Sequence, residues 1–226
     1  MTAIEHFDPQ SVPAVRVDHH LPPVPQGRLT AQALRDHFAQ PPPWTPEIVR
    51  ELRLPGRQPA EAAVLVPLVM RESQLTLILT ERGRHLSSHS GQIAFPGGRK
   101  DAGDPDLVHT ALREAQEEIG LHGSFVEVLG TLPTYITGTA FVITPVVALV
   151  QPGFCLHPNP AEVADVFEVP LDHLMNPAHH HHHEALLAGA QRQYLSMPWT
   201  DAQQRRRFIW GATAGMLRNL YRFLSV

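Results

Sequence analysis

Three glutamates lie close together in the segment from Arg113 to Leu121. Glu114, Glu117 and Glu118 are three and four residues apart, so on an α-helix their carboxylates would share one face. Like charges at these spacings destabilise a helix by about 0.2–0.5 kcal/mol per pair, and Arg113 alone cannot neutralise them. The pattern therefore predicts a bound cation. Ligands that are all oxygen favour a hard divalent ion, Mg²⁺ or Mn²⁺, which keeps water ligands and takes a substrate phosphate.

Two adjacent glycines, Gly97 and Gly98, precede the glutamates. Because glycine has no side chain, backbone amides and carbonyls at these positions can come close to an ion and its anionic ligand. We therefore expect the carbonyl of Gly98 to lie beside the metal. The alternative is a solvated helix face after an ordinary turn. The joint occurrence of the glycine pair and the glutamate spacing favours the metal site.

The helix that would carry the glutamates is predicted from Pro105 to Ile119. Its capping signals are Asp104 as the N-cap, Pro105 in the first turn and Gly120 just past the end. A stripe of apolar residues lies opposite the carboxylates, at Leu107, Ala111, Ala115 and Ile119. The carboxylates and the apolar stripe thus lie on opposite faces of the predicted helix.

Apolar runs bounded by turn residues predict the strands of that sheet. They are expected from Ala62 onward and at Leu75–Thr80, Gln92–Phe95, Phe125–Thr131, Phe141–Val150, Asp165–Val169 and Gln191–Ser196. Further helices are expected at Leu29–Phe38, Pro46–Leu52 and Phe208–Leu224. This order is typical of a mixed α/β domain with helices on both faces of the sheet.

The composition excludes several classes of protein. The 226 residues carry a formal net charge of −4, which gives no general attraction to nucleic acid. The longest apolar stretch, Phe141–Val150, is about half the length of a membrane-spanning helix, so we expect no membrane span. Cys155 is the only cysteine and the N-terminus lacks the features of a secretory signal, and both favour a cytoplasmic protein.

The segment from Gly98 to Leu121 resembles the Nudix box, Gly-x5-Glu-x7-Arg-Glu-U-x-Glu-Glu-x-Gly-U, in which U is an aliphatic residue. Three differences are present. One more residue separates Gly98 from Arg113, Asp104 replaces the early glutamate, and Ala115 replaces a bulkier aliphatic residue. The resemblance implies hydrolysis of a diphosphate linked to a nucleoside.

A second, upstream signature is similar to the coenzyme A diphosphatase branch of that family, in the segment Leu79–Gly98. The same branch resembles this chain in the longer gap after Gly98 and in two downstream segments, Phe141–Val147 and Ile209–Ala214. Together these matches cover most of residues 60–221. They imply a Nudix-type α/β/α sandwich with a mixed β-sheet and a catalytic loop-helix-loop box. They also divide the chain into a Pro-rich extended segment (1–28), a short helical extension (29–60) and the Nudix hydrolase domain (61–226).

The resemblance implies a division of roles among the charged residues. The substrate would be coenzyme A or a thioester of it, cleaved to 3′,5′-ADP and 4′-phosphopantetheine by a Mg²⁺- or Mn²⁺-dependent hydrolase of phosphorus-containing anhydrides. Glu114 and Glu118 would bind the metal beside the Gly98 carbonyl, and Glu117 would bind a second ion or orient Arg113. Glu162 is a candidate base or further ligand, although a surface glutamate is an equal alternative. Basic side chains that could hold substrate phosphates are Arg82, Arg84, His85, His89 and Arg99.

Other functions remain open from the sequence. The substrate could be another nucleoside diphosphate derivative such as ADP-ribose or NADH, or the fold could serve as a non-catalytic ligand sensor. The presence of Arg113, Glu114, Glu117 and Glu118 disfavours a sensor. The oligomeric state stays open, a homodimer included.

Two further runs of identical residues invite a functional interpretation. The tract His179–His183 could chelate Zn²⁺ as a metal-storage device, but we predict a solvated loop insertion. The run Arg205–Arg207 resembles a nucleic-acid patch, but we predict a solvated edge at the start of the last helix.

Overall fold

The computed structural model describes residues 7–51, 58–83, 91–187 and 190–226. Twelve strands and four α-helices are formed in this part of the chain. In chain order they are β1 (Ala14–Val17), α1 (Ala31–Ala39), β2 (Ala60–Met70), β3 (Leu75–Arg82), β4 (Ile93–Ala94), β5 (Gly97–Arg99), α2 (Leu107–Ile119), β6 (Val126–Thr131), β7 (Tyr135–Ile136), β8 (Phe141–Val150), β9 (Val163–Pro170), α3 (Leu171–Leu174), β10 (His181–Leu187), β11 (Ala190–Thr200), β12 (Arg206–Trp210) and α4 (Gly211–Leu224).

The main sheet is built around the parallel pair β2 and β8, which are aligned from Ala60 opposite Phe141 to Val69 opposite Val150. Its order is β4-β3-β2-β8-β6, and β5, β7 and β9 add to β2, β8 and β3 respectively. All other pairs in this sheet are antiparallel, so the sheet is mixed. The central strands have continuous apolar sequences because both faces of the sheet are covered.

Alternate residues of β2 point into two different cores. Ala63, Leu65 and Val69 pack under α2, whereas Val64 and Val66 pack on the opposite side with α1 and α4. The predicted α/β/α sandwich with a mixed sheet is therefore confirmed. None of the helices in the described residues is long and apolar enough to cross a membrane.

A second sheet, with the order β1-β10-β11-β12, packs on the α4 side of the main sheet. Its edge strand β1 comes from the Pro-rich N-terminal segment and pairs with β10. Val24, Leu29 and Leu34 from the same part of the chain are buried in the core that α4 shares. Residues before β2 thus contribute to the folding of the main domain.

The prediction of a solvated loop at His179–His183 is wrong, because His181–His183 form the start of β10 and His180 and His183 are buried. His180 is 0% exposed and is bonded on both ring nitrogens. Its Nδ1 accepts from Arg218 at 2.9 Å, so its Nε2 must donate to the Leu174 carbonyl at 2.8 Å. Burial lowers the pKa of His180 to about 4, and the neutral imidazole serves as a core residue.

One further predicted helix is not formed, and the start of another was predicted wrongly. The described part of Pro46–Leu52 is not helical, because the amides of Glu47 and Ile48 donate to Asn219 and Arg50 bridges to Ile136. Leu52 lies outside the described residues. The last helix starts at Gly211 rather than Phe208, since residues 206–210 pair with β11 as β12.

The predicted solvated edge at Arg205–Arg207 is wrong for one of the three arginines. Arg206 is exposed on β12, but Arg207 is only 3% exposed. The Arg207 guanidinium donates to Glu81 and Asp165 of the main sheet and to Asp201. A buried arginine with this many carboxylate partners joins the two sheets.

Replacing His180 with Gln should flatten the pH dependence of stability. The folded state keeps His180 neutral down to a pKa of about 4, whereas the unfolded chain protonates it near pH 6.5. The stability that His180 contributes is therefore present above about pH 6.5 and lost as the pH falls toward 4. Between pH 7.5 and 5, wild type should lose about 2 kcal/mol more free energy of unfolding than His180→Gln, measured by urea titration. The exposed His20→Gln variant should follow wild type, and equal slopes for wild type and His180→Gln would refute this role.

Candidate active site

Helix α2 starts two residues later than the capping signals predicted. Its N-cap is Asp106, whose carboxylate accepts from the amide of His109 at 2.8 Å. Asp104 and Pro105 precede the helix, so their predicted places as N-cap and first-turn residue are wrong. Asp104 instead accepts from Thr110 and from the guanidinium of Arg113. The predicted helix end is confirmed, since Gly120 is the left-handed C-cap.

The glycine pair is in close contact with both the sheet and the helix. A Cβ on Gly97 would overlap the Ala63 carbonyl and lie 2.6 Å from Val64 Cα. A Cβ on Gly98 would lie 2.5 Å from the carboxylate carbon of Glu114. Real Cβ atoms do not approach other atoms this closely, so position 97, which meets backbone, requires glycine, and a side chain at position 98 would displace the Glu114 carboxylate. Backbone on β5 and carboxylate on α2 therefore touch directly.

Glu118 is the most deeply buried acid of the site, with 4% of its surface exposed. Its Oε2 accepts from the Gly97 amide at 3.1 Å, and its Oε1 lies 3.9 Å from Arg82 Nη1. Burial raises the pKa of Glu118 to about 7, with further contributions from the charges of Glu114 and Glu162. A carboxylate in this environment is stabilised by any additional positive charge.

Glu114 lies one turn before Glu118, and its carboxylate lies against Gly98 just as that of Glu118 lies against Gly97. Burial raises the pKa of Glu114 above its ordinary value, and the charges of Glu117 and Glu162 raise it further. Its Oε1 is 2.9 Å from Arg113 Nη1. Glu117 is exposed and accepts from the same guanidinium at 2.9 Å.

Arg113 is held by an acid that sequence analysis gave a different role. Asp104 accepts from Arg113 Nε and Nη2, both at 2.9 Å, and the Arg99 carbonyl accepts from Nη2 at 3.2 Å. The hydrogen bond from Arg113 holds the pKa of Asp104 well below its usual range. The position of an acid shortly before the helix was visible in the sequence, but its bidentate pairing was not.

Glu162 lies just before β9 and belongs to the same electrostatic cluster. Its carbonyl accepts from the Gly83 amide at 2.8 Å, and its side chain accepts from Asn159 at 3.3 Å. Its negative charge contributes to the raised pKa of both Glu114 and Glu118. The structure thus anchors the backbone of Glu162 beside Arg82, whose guanidinium lies 3.9 Å from Glu118.

The basic candidates for phosphate binding are placed unequally. Arg82 ends β3 beside Glu118, and its buried Nε has no hydrogen-bond partner among the residues described. Arg99 is exposed and lines an open cavity of about 440 Å³ with Lys100 and Asp101. Glu114 and Glu118 are not among the residues that line this cavity. The other candidates, Arg84, His85 and His89, lie outside the described residues.

The donors at this site fit a hard divalent cation. Burial raises the pKa of the buried Glu118 and of the half-buried Glu114, and the charge of Glu114 raises that of Glu118 further. A backbone free of Cβ atoms faces both carboxylates, and Arg82, which lies beside Glu118, has an unpaired guanidinium nitrogen. In the described part of the chain no three His, Cys, Asp or Glu residues form a metal-binding group by themselves. Mg²⁺ is usually bound in this way, with one or two carboxylate ligands and with water and substrate phosphates in the rest of its coordination shell.

Comparison with known proteins agrees with this geometry. The family model for the NUDIX domain matches residues 59–190. Two relatives named Uncharacterized Nudix hydrolase NudL are similar to the chain. The one from Yersinia enterocolitica is 42% identical over 73% of this chain and 82% of its own length. The one from Pectobacterium atrosepticum is 38% identical over 84% of this chain and 94% of its own length.

Solved structures with partial overlap include the Nudix hydrolase RenU from M. smegmatis, 25% identical, with a TM-score of 0.45 over 54% of this chain and 79% of that one. The NUDIX domain of Shewanella oneidensis NrtR complexed with ADP ribose is 21% identical, with a TM-score of 0.40 over 60% of this chain and 82% of that one. The family assignment rests on the sequence matches. The chain belongs to the Nudix family and is a hydrolase of diphosphate bonds in nucleoside diphosphate derivatives.

Gly98→Ala should abolish most activity without unfolding the protein. The new methyl group displaces only the end of the Glu114 side chain, which can move, so the free energy of unfolding should change by less than about 1 kcal/mol. A displaced reactive group costs about 100-fold in rate, so kcat should fall by roughly that factor. Gly97→Ala should instead lose stability, because its Cβ meets backbone. Gly103→Ala is the control, since that position is open, and normal kcat in Gly98→Ala would contradict the placement of Glu114.

Proposed function

We propose that the enzyme hydrolyses the diphosphate bond of coenzyme A or its thioesters in a reaction that requires Mg²⁺ or Mn²⁺. The observation that carries the proposal is the burial of Glu114 and Glu118 against the glycine backbone, with the Arg82 guanidinium next to Glu118. Negative groups on one side and an arginine on the other suit a cation and a diphosphate bound together. The substrate assignment follows from the upstream signature, whose first described basic residue is Arg82.

The metal would be held by Glu114 and Glu118 beside the Gly98 carbonyl. Glu117 is exposed and bonded to Arg113, so it would bind a second ion or orient the arginine. When bound, a divalent cation neutralises charge on phosphoryl oxygens and lowers the pKa of water. Arg113 and Asp104 keep the helix face in place through their paired hydrogen bonds.

Glu162 is proposed as the base. Its carboxylate would accept a proton from the attacking water while a new bond from oxygen to phosphorus forms. The bond from that phosphorus to the bridging oxygen breaks, and the leaving phosphate takes the electron pair. The products from coenzyme A are 3′,5′-ADP and 4′-phosphopantetheine.

The phosphates of the substrate would be bound by arginine and histidine side chains. Arg82 is the best placed, since its Nη1 lies 3.9 Å from Glu118 Oε1 and its buried Nε has no partner among the residues described. Arg99 borders the open cavity beside the box and would bind a more distant phosphate. Arg84 and His89 are proposed on the sequence signature alone.

A panel of substrates tests the assignment. Initial rates on coenzyme A, acetyl-coenzyme A, ADP-ribose and NADH at equal concentration and with Mg²⁺ or Mn²⁺ should be highest for one of the two coenzyme A compounds. Mass spectrometry should then identify 3′,5′-ADP and the matching phosphopantetheine. Chelation of the metal by EDTA should stop the reaction. Higher rates on ADP-ribose or NADH would show that coenzyme A is the wrong substrate. No turnover of any compound would overturn the proposed reaction.

Glu118→Gln should remove turnover and leave the fold intact. The amide keeps the size of the side chain and loses a charge that is costly to bury, so the free energy of unfolding should stay equal or rise. Loss of a metal-binding carboxylate should lower kcat by about 1,000-fold. Glu72→Gln, at an exposed turn, is the matched control and should behave as wild type. Wild-type kcat in Glu118→Gln would disprove the metal assignment.

A further inference from the structure

A β-bulge lies near the start of β9, just after Glu162 along the chain. In the pairing of β9 with β3, Asp165 lies opposite Glu81, but the next residue of β3, Arg82, lies opposite Val163. Ala164 is therefore the extra residue. A bulge changes which face of the sheet the following side chains occupy, and bulges often direct side chains at active sites.

The bulge divides β9 between the two cores. Phe167 and Val169 lie on the α4 side, and the regular alternation puts Asp165 there too. Val163 would share that side in a regular strand, yet it packs in the core under α2. The shift puts Val163 on the α2 side, opposite Arg82. The carbonyl of the preceding residue, Glu162, accepts from the Gly83 amide at 2.8 Å, which anchors Glu162 beside Arg82.

Two carboxylates face each other at the bulge. Glu81 and Asp165 are direct cross-strand partners, and like charges in that position destabilise strand pairing. Arg207 lies between them. Its Nη1 donates to Glu81 at 2.9 Å, its Nη2 donates to Asp165, and its guanidinium lies 4.2 Å from the centre of the Phe167 ring.

Arg207 is itself fixed from the second sheet. It is 3% exposed on β12, and its Nε donates to Asp201 at 3.3 Å. Arg205 adds bonds to Asp165 and Asp201 from the exposed side. These bonds of Arg207 tie β12 to the end of β3, which is Arg82, and to the start of β9, which Glu162 precedes. Arg207 itself lies on the opposite side of the main sheet from the catalytic helix.

We infer that Arg207 is a positioning residue for the reaction: by bridging Glu81 and Asp165 it fixes the ends of β3 and β9, and through them the position of Glu162 beside Arg82. The inference rests on the proposed role of Glu162. The role of Arg207 is indirect: it would touch neither substrate nor metal and would act only through the strand ends.

The test compares two adjacent arginines of β12. Arg207→Met should lower kcat on coenzyme A by about 10-fold or more while KM changes less than about twofold, because a base displaced by a fraction of an ångström slows chemistry more than binding. Arg207→Lys keeps one charge between the carboxylates and should recover part of kcat. Arg206→Met, at the exposed neighbour, should keep wild-type kcat. Rates are taken per folded protein, with folding followed by circular dichroism.

A double-mutant cycle separates positioning from a general structural effect. In the Glu162→Gln background, Arg207→Met should cause no further loss of kcat, because the group that it positions is already disabled. A full additional loss in that background would overturn the inference. If Arg207→Met does not fold, the same cycle is run with Arg207→Lys and Arg206→Lys. Wild-type kcat for Glu162→Gln alone would instead refute the proposed base, so the two failures give different results.

Discussion

The direct contact between the glycine backbone of β5 and the carboxylates of α2 is the constraint on which the site depends. Gly97 donates its amide to Glu118, and Gly98 leaves room for Glu114. The contact is possible only because β5 is paired to β2 while the apolar stripe of α2 packs on the same sheet. The sandwich thus fixes a distance between backbone and carboxylate that a loop alone could not hold.

This contact buries negative charge, and the arginines of the site offset part of the electrostatic cost. Burial raises the pKa of Glu114 and Glu118, so the folded protein disfavours their charged forms. Arg113 and Arg82 supply positive charge from two sides, and Asp104 keeps Arg113 from moving elsewhere. Carboxylates whose charged forms are disfavoured by burial gain most from a bound divalent cation, so the same burial that costs stability favours cation binding.

The sequence predicts features that depend on local pattern and fails where burial depends on distant partners. The strand Phe141–Val150 was predicted with its observed bounds, because an uninterrupted apolar run has one stable environment in a sheet covered on both faces. The glutamate face and the glycine pair were equally visible. His180 and Arg207 were not, because the partners that make their burial tolerable are Arg218, Glu81 and other residues far along the chain. Asp104, the predicted N-cap, is instead paired with Arg113 nine residues further along, and Asp106 caps the helix.

The alternation of β3 explains how the second sheet can affect chemistry on the far side of the main sheet. Glu81 points toward β12 and its neighbour Arg82 points toward α2, so one short stretch of backbone carries a structural ion pair on one face and a site residue on the other. On β9, Asp165 belongs to the same ion pair, and the Glu162 carbonyl beyond the bulge accepts from the amide of Gly83, the residue after Arg82. A rotation of either strand end would move both faces at once. Because packed sheets resist such motion, the buried Arg207 cluster and the carboxylates that we propose as catalytic are parts of one rigid unit.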